Sequence, residues 1–225
     1  MTHIANIEEQ NAILLQDLYT ASLTYLQNHC NKEVITPRDH VTYPFLYGKY
    51  ALLTTPVLPG NDIHVVLDVF SKFAEYPLVI CGDWKNNSYA EALYTKYSNN
   101  HAIHLLDTVK DLRTLNMLRS NCYVYIDAFY QPDHNTSLIE AMYMQLPVLA
   151  FASHYNITLT SNKAMYYKMP TELLAALKSL HPTKAAEIGS TMKEVISNKI
   201  NTAQQQNNPK QMVLQPARQP NPIKH

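Results

Sequence analysis

A chain of 225 residues that is 46% apolar and 16% charged can build one sizeable hydrophobic core without disulfide or metal staples, and is too short for two full α/β domains. Its 18 basic residues balance its 18 acidic ones, which excludes a strongly basic nucleic-acid binder and a globally disordered chain. The three cysteines, Cys30, Cys81 and Cys122, are unclustered and imply neither a disulfide framework nor a zinc site, as expected of buried thiols in a reducing compartment. The polar, acidic start MTHIANIEEQ is unlike a signal peptide, and no apolar run approaches the ~18 residues of a membrane span. The expectation is a cytoplasmic protein with no transmembrane segment and no nucleic-acid partner.

In chain order, apolar residues recur at helical spacing from Ile7 to Asn28 (Ile13, Leu14, Leu18, Ala21, Tyr25), which predicts a long amphipathic helix. The segment TPRDHVTYPFLYG from Thr36 to Gly48 reads as an irregular connection, closing a first unit over residues 1–48. From Lys49 short apolar runs alternate with helical patterns, the mark of βα units building a parallel sheet. The runs are 50–55, 77–81, 102–106, 122–126 and 147–151, and the helices between them span 62–74, 89–97, 110–119 and 136–144. Two further helices, 171–180 and 183–198, complete an α/β, Rossmann-like open parallel sheet over 49–200. The remainder, 201–225, is rich in Gln, Asn and Pro with no acidic residue, and is expected to be a disordered tail.

Ligands of open parallel sheets bind beyond the carboxyl ends of the strands. The loops to search are therefore 55–61, 82–88, 107–111, 127–135 and 152–163. The fourth ends in DHNTSLIEAM, where Asn135, Thr136 and Ser137 open a helix whose free N–H groups suit an anion. Glu140, one turn further on, either accepts hydrogen bonds from a vicinal diol such as a ribose or only complements the helix dipole. Gly82 lets backbone approach a ligand or makes a tight turn, and Trp84 either stacks on a base or anchors its loop. Neither G-x-G-x-x-G, Walker A, G-x-S-x-G nor H-E-x-x-H occurs, and the ten histidines lack ligand spacing, so no metal site is expected.

The pieces PVLPGND (56–62), GDW (82–84), AIHLLD (102–107), LNMLRSNC (115–122), DAFYQPDHNTSLIEAM (127–142) and YNITLTSNKAMYY (155–167), in this order and at these intervals, resemble the C-terminal, donor-binding half of family-four glycosyltransferases of GT-B fold, particularly the rhamnosyltransferase-like branch. The resemblance implies half of a GT-B fold and transfer of a sugar from a nucleotide-diphosphate sugar to an acceptor hydroxyl, with retention and without cofactor or catalytic metal. It implies that Glu140 grips the ribose and that Asn135, Thr136 and Ser137 receive the diphosphate. It also implies that Gly82 and Asp83 line the donor cleft and that backbone at Thr108 and Val109 meets the base. The acceptor implied is a glycan or lipid-linked molecule, and an acceptor domain comes from a partner protein or a second copy.

There are departures from that pattern. Pro56 stands where the family has a phosphate-binding arginine, Asp133-His134 replaces a glycine pair, Pro132 replaces a glutamate eight residues before Glu140, and Ile157-Thr158 replaces R-E. Lys85 or Lys163 is a replacement cation or a solvated surface lysine. The alternative to an enzyme is a degenerate, non-catalytic binding or scaffolding module. A phospho-receiver-like domain shares the strand alternation but lacks the acidic cluster. The first helix is expected to pack on the α/β domain.

Overall fold

The computed structural model describes residues 23–128 and 136–206. A helix over residues 23–29 (α1) is followed by a short helix, Pro37–Thr42 (α2), and a 3-10 turn, Pro44–Tyr47. The segment expected to be irregular is thus largely helical. Its helix starts on a reciprocal cap, in which the Thr36 side chain accepts from the Asp39 N–H while the Asp39 carboxylate accepts from the Thr36 N–H.

Six parallel strands follow: Ala51–Leu53 (β1), Leu78–Cys81 (β2), Ile103–Leu106 (β3), Val124–Asp127 (β4), Val148–Phe151 (β5) and Met165–Tyr167 (β6). Their order is β3-β2-β1-β4-β5-β6. Strand order reverses between β1 and β4, which leaves a crevice beyond their carboxyl ends. β1, β2 and β4 are buried along their whole length, which is why they read as unbroken apolar runs. The sixth strand went unseen in the sequence because it is three residues long, lies at the sheet edge and is only partly buried.

The crossovers are Ile63–Phe70 (α3), Ser88–Tyr97 (α4), Leu112–Asn121 (α5), Thr136–Tyr143 (α6) and His154–Leu159 (α7), and Pro170–Ser179 (α8) and Pro182–Gln206 (α9) close the described chain. Asn87 and Asp111 cap α4 and α5 by accepting from Ala90 N–H and Thr114 N–H. Between β5 and β6 the loop expected over 152–163 contains α7, capped by Ser153. Alternate strand residues feed two cores. On one face Leu53, Ile80 and Ile126 pack with α3, α4 and α8; on the other Leu52, Val79 and Tyr125 pack with α5, α6, α9 and Leu26 of α1.

α9 runs to Gln206 with Ala203 fully buried, so residues 201–206 are helix and not the start of a tail; 207–225 lie outside the described residues. The reason is burial of Ala203 in the core cluster that also holds α6, on which α9 packs. Gly189 faces the turn after α6 so closely that a β-carbon there would stand 2.3 Å from the Gln145 carbonyl oxygen. That turn is a Schellman cap: Leu146 N–H bonds Ala141 O at 3.0 Å, Gln145 N–H bonds Met142 O at 3.1 Å, and Gln145 adopts a left-handed φ of 65° before Pro147.

Of the long N-terminal helix predicted over Ile7 to Asn28, only the end lies within the described residues. There Leu26 is buried, Asn116 of α5 donates to the His29 carbonyl at 2.7 Å, and Tyr25 reaches α6. The connection behind α1 is pinned to α5 as well, since Arg113 holds the Asp39 carboxylate at 2.6 and 2.7 Å.

Candidate functional site

The crevice at the strand-order reversal is a cleft of about 270 Å³ formed by the turns after β1, β2 and β3, the face of α5 and the start of α6. Its walls are fixed by side chains bonded to backbone. Asn61 donates to Pro56 O and Asn87 donates to Val57 O, both at 2.8 Å, setting the turn after β1. Thr54 and the Tyr125 hydroxyl, 2.9 Å apart, tie the end of β1 to β4. Gly82 lies so close to this turn that a β-carbon would meet Val57 Cγ2 at 2.5 Å. The glycine is therefore required by the approach of two neighbouring turns.

Among the expected site residues, Gly82, Asp83, Thr108, Val109 and Ser137 converge on this cleft, and so does Pro56. Thr136 is exposed as the first residue of α6, while Asn135, Asp133, His134 and Pro132 lie outside the described residues. Lys85 lines a separate depression with Tyr94 and Glu91, and Lys163 is an exposed turn residue before β6; neither lines the cleft. Trp84 is 2% exposed, donates from Nε1 to Leu106 O at 2.7 Å and does not line the cleft, so it anchors its loop.

Glu140 does not line the cleft. It is buried on the inner side of α6 with both carboxylate oxygens engaged: Oε1 accepts from the Tyr25 hydroxyl at 2.7 Å, and Oε2 pairs closely with Nη2 of Arg119. The Tyr25 phenol is pushed up to about 12, first by burial and then by its bond to that carboxylate.

Arg119 is the residue that the sequence reading missed. It sits at the end of α5, is 2% exposed, lines the cleft, and leaves Nε and Nη1 buried without a hydrogen-bond partner among the described residues. Arginine cannot shed its proton to escape such a site, and buried donors are rarely left unmade. One signal was available: Arg119 stands four residues after Leu115, so both share one face of α5, and Leu115 also lines the cleft. Cys81 at the cleft edge has its thiol pushed up to about 12 by burial, so it is a small apolar wall residue, not a nucleophile.

A larger groove of about 670 Å³ lies between the end of α3 and α8. It sits away from the strand-order reversal, and its charged side chains, such as Lys72, Glu75 and Lys178, face solvent. It lacks the convergent buried polar group that marks the smaller cleft. Among the described residues no group of His, Cys, Asp or Glu could hold a metal ion, and no helix is long and apolar enough to cross a membrane.

A six-stranded parallel sheet with this order and a cleft at its reversal point define a Rossmann-like class of domain. Residues 55–212 match the family of glycosyl transferases group 1, and the chain belongs to that family. Its fold is shared with one half of GT-B glycosyltransferases. Sucrose-phosphate synthase from Thermosynechococcus elongatus superimposes with a TM-score of 0.65 at 17% identity, over 84% of this chain and 50% of that one. Anabaena HepE, solved in complex with UDP and glucose, gives 0.64 at 16% identity over 80% and 53%. A glycosyltransferase from Rickettsia africae gives 0.62 at 14% over 79% and 54%. The chain thus spans about half the length of these solved relatives. No curated protein matches the sequence significantly.

Proposed function

We propose that the chain is the donor-binding half of a GT-B glycosyltransferase of the rhamnosyltransferase-like branch, transferring a sugar with retention from a nucleotide-diphosphate sugar to an acceptor hydroxyl. The observation that carries this reading is the cleft itself. Gly82, Thr108, Val109 and the first turn of α6 meet around one ligand-sized space at the strand-order reversal. A helix start and its dipole favour an anion such as the diphosphate, and HepE, of the same fold, is solved with UDP and glucose.

The acceptor is a glycan or a lipid-linked molecule held by an acceptor domain that faces the cleft. Without that domain the diphosphate stays solvated and the acceptor unoriented, so the purified chain turns over poorly. A second reading, a non-catalytic binding module, is favoured by two observations: Pro56 brings neither charge nor N–H to the cleft, and Glu140 is already satisfied by Tyr25 and Arg119.

Calorimetric titration of the full chain with UDP-, GDP- and dTDP-sugars tests the donor reading. Saturable binding to at least one donor is expected. Absence of heat for every donor at millimolar concentration overturns it.

A further inference from the structure

Arg119 is a buried cation whose own fold satisfies only part of it. Glu140 takes Nη2, while Nε and Nη1 are buried with no partner among the described residues, and Arg119 lines the cleft. We propose that Arg119 is the base-reading residue of the cleft, donating to a carbonyl oxygen of the bound nucleobase, and that Glu140 is a positioning residue that fixes the guanidinium. The inference rests on the donor-nucleotide reading above.

The argument for a neutral carbonyl, not the diphosphate, is one of charge. Arg119 is neutralised by Glu140, and the other charged side chain lining the cleft is Asp83. A diphosphate beside this pair meets no net positive charge, whereas at the start of α6 it meets the positive end of a helix dipole. Leu115, one turn nearer the start of α5, lines the same cleft as Thr108 and Val109. A flat base packed on Leu115 brings its edge to Arg119, one turn along the same helix face. A guanidinium only donates, so the edge must accept. Uracil, thymine and guanine carry carbonyl oxygens there; adenine presents an amino donor in place of the oxygen at O6 or O4.

The test is titration of the full chain with UDP, GDP, ADP and pyrophosphate, repeated on Arg119→Lys, which keeps the charge beside Glu140 but loses the planar fork. The unmodified protein should bind UDP or GDP at least about tenfold more tightly than ADP. Arg119→Lys should shrink that ratio while leaving pyrophosphate affinity unchanged. Equal affinity for ADP, or an unaltered ratio in Arg119→Lys, overturns the assignment and leaves the donor reading standing. A fall in pyrophosphate affinity in Arg119→Lys shows that the guanidinium meets phosphate, and also overturns it. If no nucleotide binds, the donor reading fails and takes this inference with it. The comparison across bases uses unmodified protein, so it holds even if the variant folds poorly.

Discussion

Replacing Glu140 by alanine removes both the acceptor of Tyr25 and the counter-charge of Arg119. Arg119 is 2% exposed and its other two guanidinium nitrogens are already without partners, so the variant leaves a buried charge uncompensated. Breaking one side of such a pair costs about 3–5 kcal/mol, a large fraction of the roughly 5–15 kcal/mol that holds a domain together. Removing both charges with side chains of similar volume, as in Arg119→Met with Glu140→Leu, leaves no stranded ion and should be nearly neutral or stabilising. The loss at Tyr25 is small in either case, because that residue is 41% exposed and water replaces the acceptor. Urea unfolding of Arg119→Met, Glu140→Leu and the double variant forms a cycle, and the expected coupling is at least about 2 kcal/mol. If Glu140→Ala costs less than about 1 kcal/mol, or if the double variant is as unstable as the sum of the singles, the pair is not desolvated and the reasoning fails.

Gly189→Ala sets a β-carbon 2.3 Å from the Gln145 carbonyl oxygen. That oxygen belongs to the backbone of the cap after α6, so relief requires α9 to lift, at about 1–3 kcal/mol, seen as a melting temperature lower by roughly 2–12 °C. Gly60→Ala, with nothing within 4 Å, is the control, and equal melting of the two variants would refute the close-packing argument. The His104 imidazole on β3 is held below its ordinary value by burial, its ring 4.8 Å from that of Phe45. Its folded pKa is depressed, so the unfolded chain binds the extra proton: the stability is complete above the unfolded value near 6.5 and is lost as pH falls below it. Melting temperature should therefore fall between pH 7.5 and 5.5, less steeply in His104→Gln; an identical slope would exclude His104 as the cause. The lowered carboxyls of Asp39, Asp68 and Asp111 act below about pH 4 and do not overlap that window.

Much of the sheet was legible because β1, β2 and β4 are buried on both faces and therefore spelled as apolar runs, and because α4 and α5 begin at side-chain caps, Asn87 and Asp111, that can be read locally. Elements whose cause is distant were not. α7 has six residues, too few to show a period, and is held by Asn156 donating to the Asp127 carboxylate at 2.8 Å, 29 residues away. The last turn of α9 carries glutamines that suggest a solvated tail, yet Ala203 is buried among core residues of the same cluster as α6.

The site shows the same division. Gly82 was legible as a strand-end glycine, but the reason it must be glycine, Val57 Cγ2, belongs to another turn. Arg119 was hidden because LRTLNMLRSN reads as an amphipathic helix whose polar stripe faces water, whereas Asn116 and Arg119 are both buried against neighbours from α1 and α6.

The charge balance of the cleft also bears on why a facing domain is needed, on the reading proposed above. With Arg119 neutralised by Glu140 and Asp83 at the wall, the described residues of the cleft supply no net positive charge, and the turn after β1 contributes the uncharged Pro56. The attraction left for a departing diphosphate is the dipole of α6, a helix of eight residues. Such a dipole is worth about 0.3–1 kcal/mol to a charge near solvent, against the ~3–4 kcal/mol that one aimed donor contributes in a water-excluded site. The difference is made up by excluding water, which raises the value of every remaining N–H, or by cations brought from outside. Both come from a surface that closes over the cleft mouth, so binding of the nucleotide and efficient transfer are separable properties of this chain: the first needs only the base, Arg119 and α6, and the second needs what closes over them.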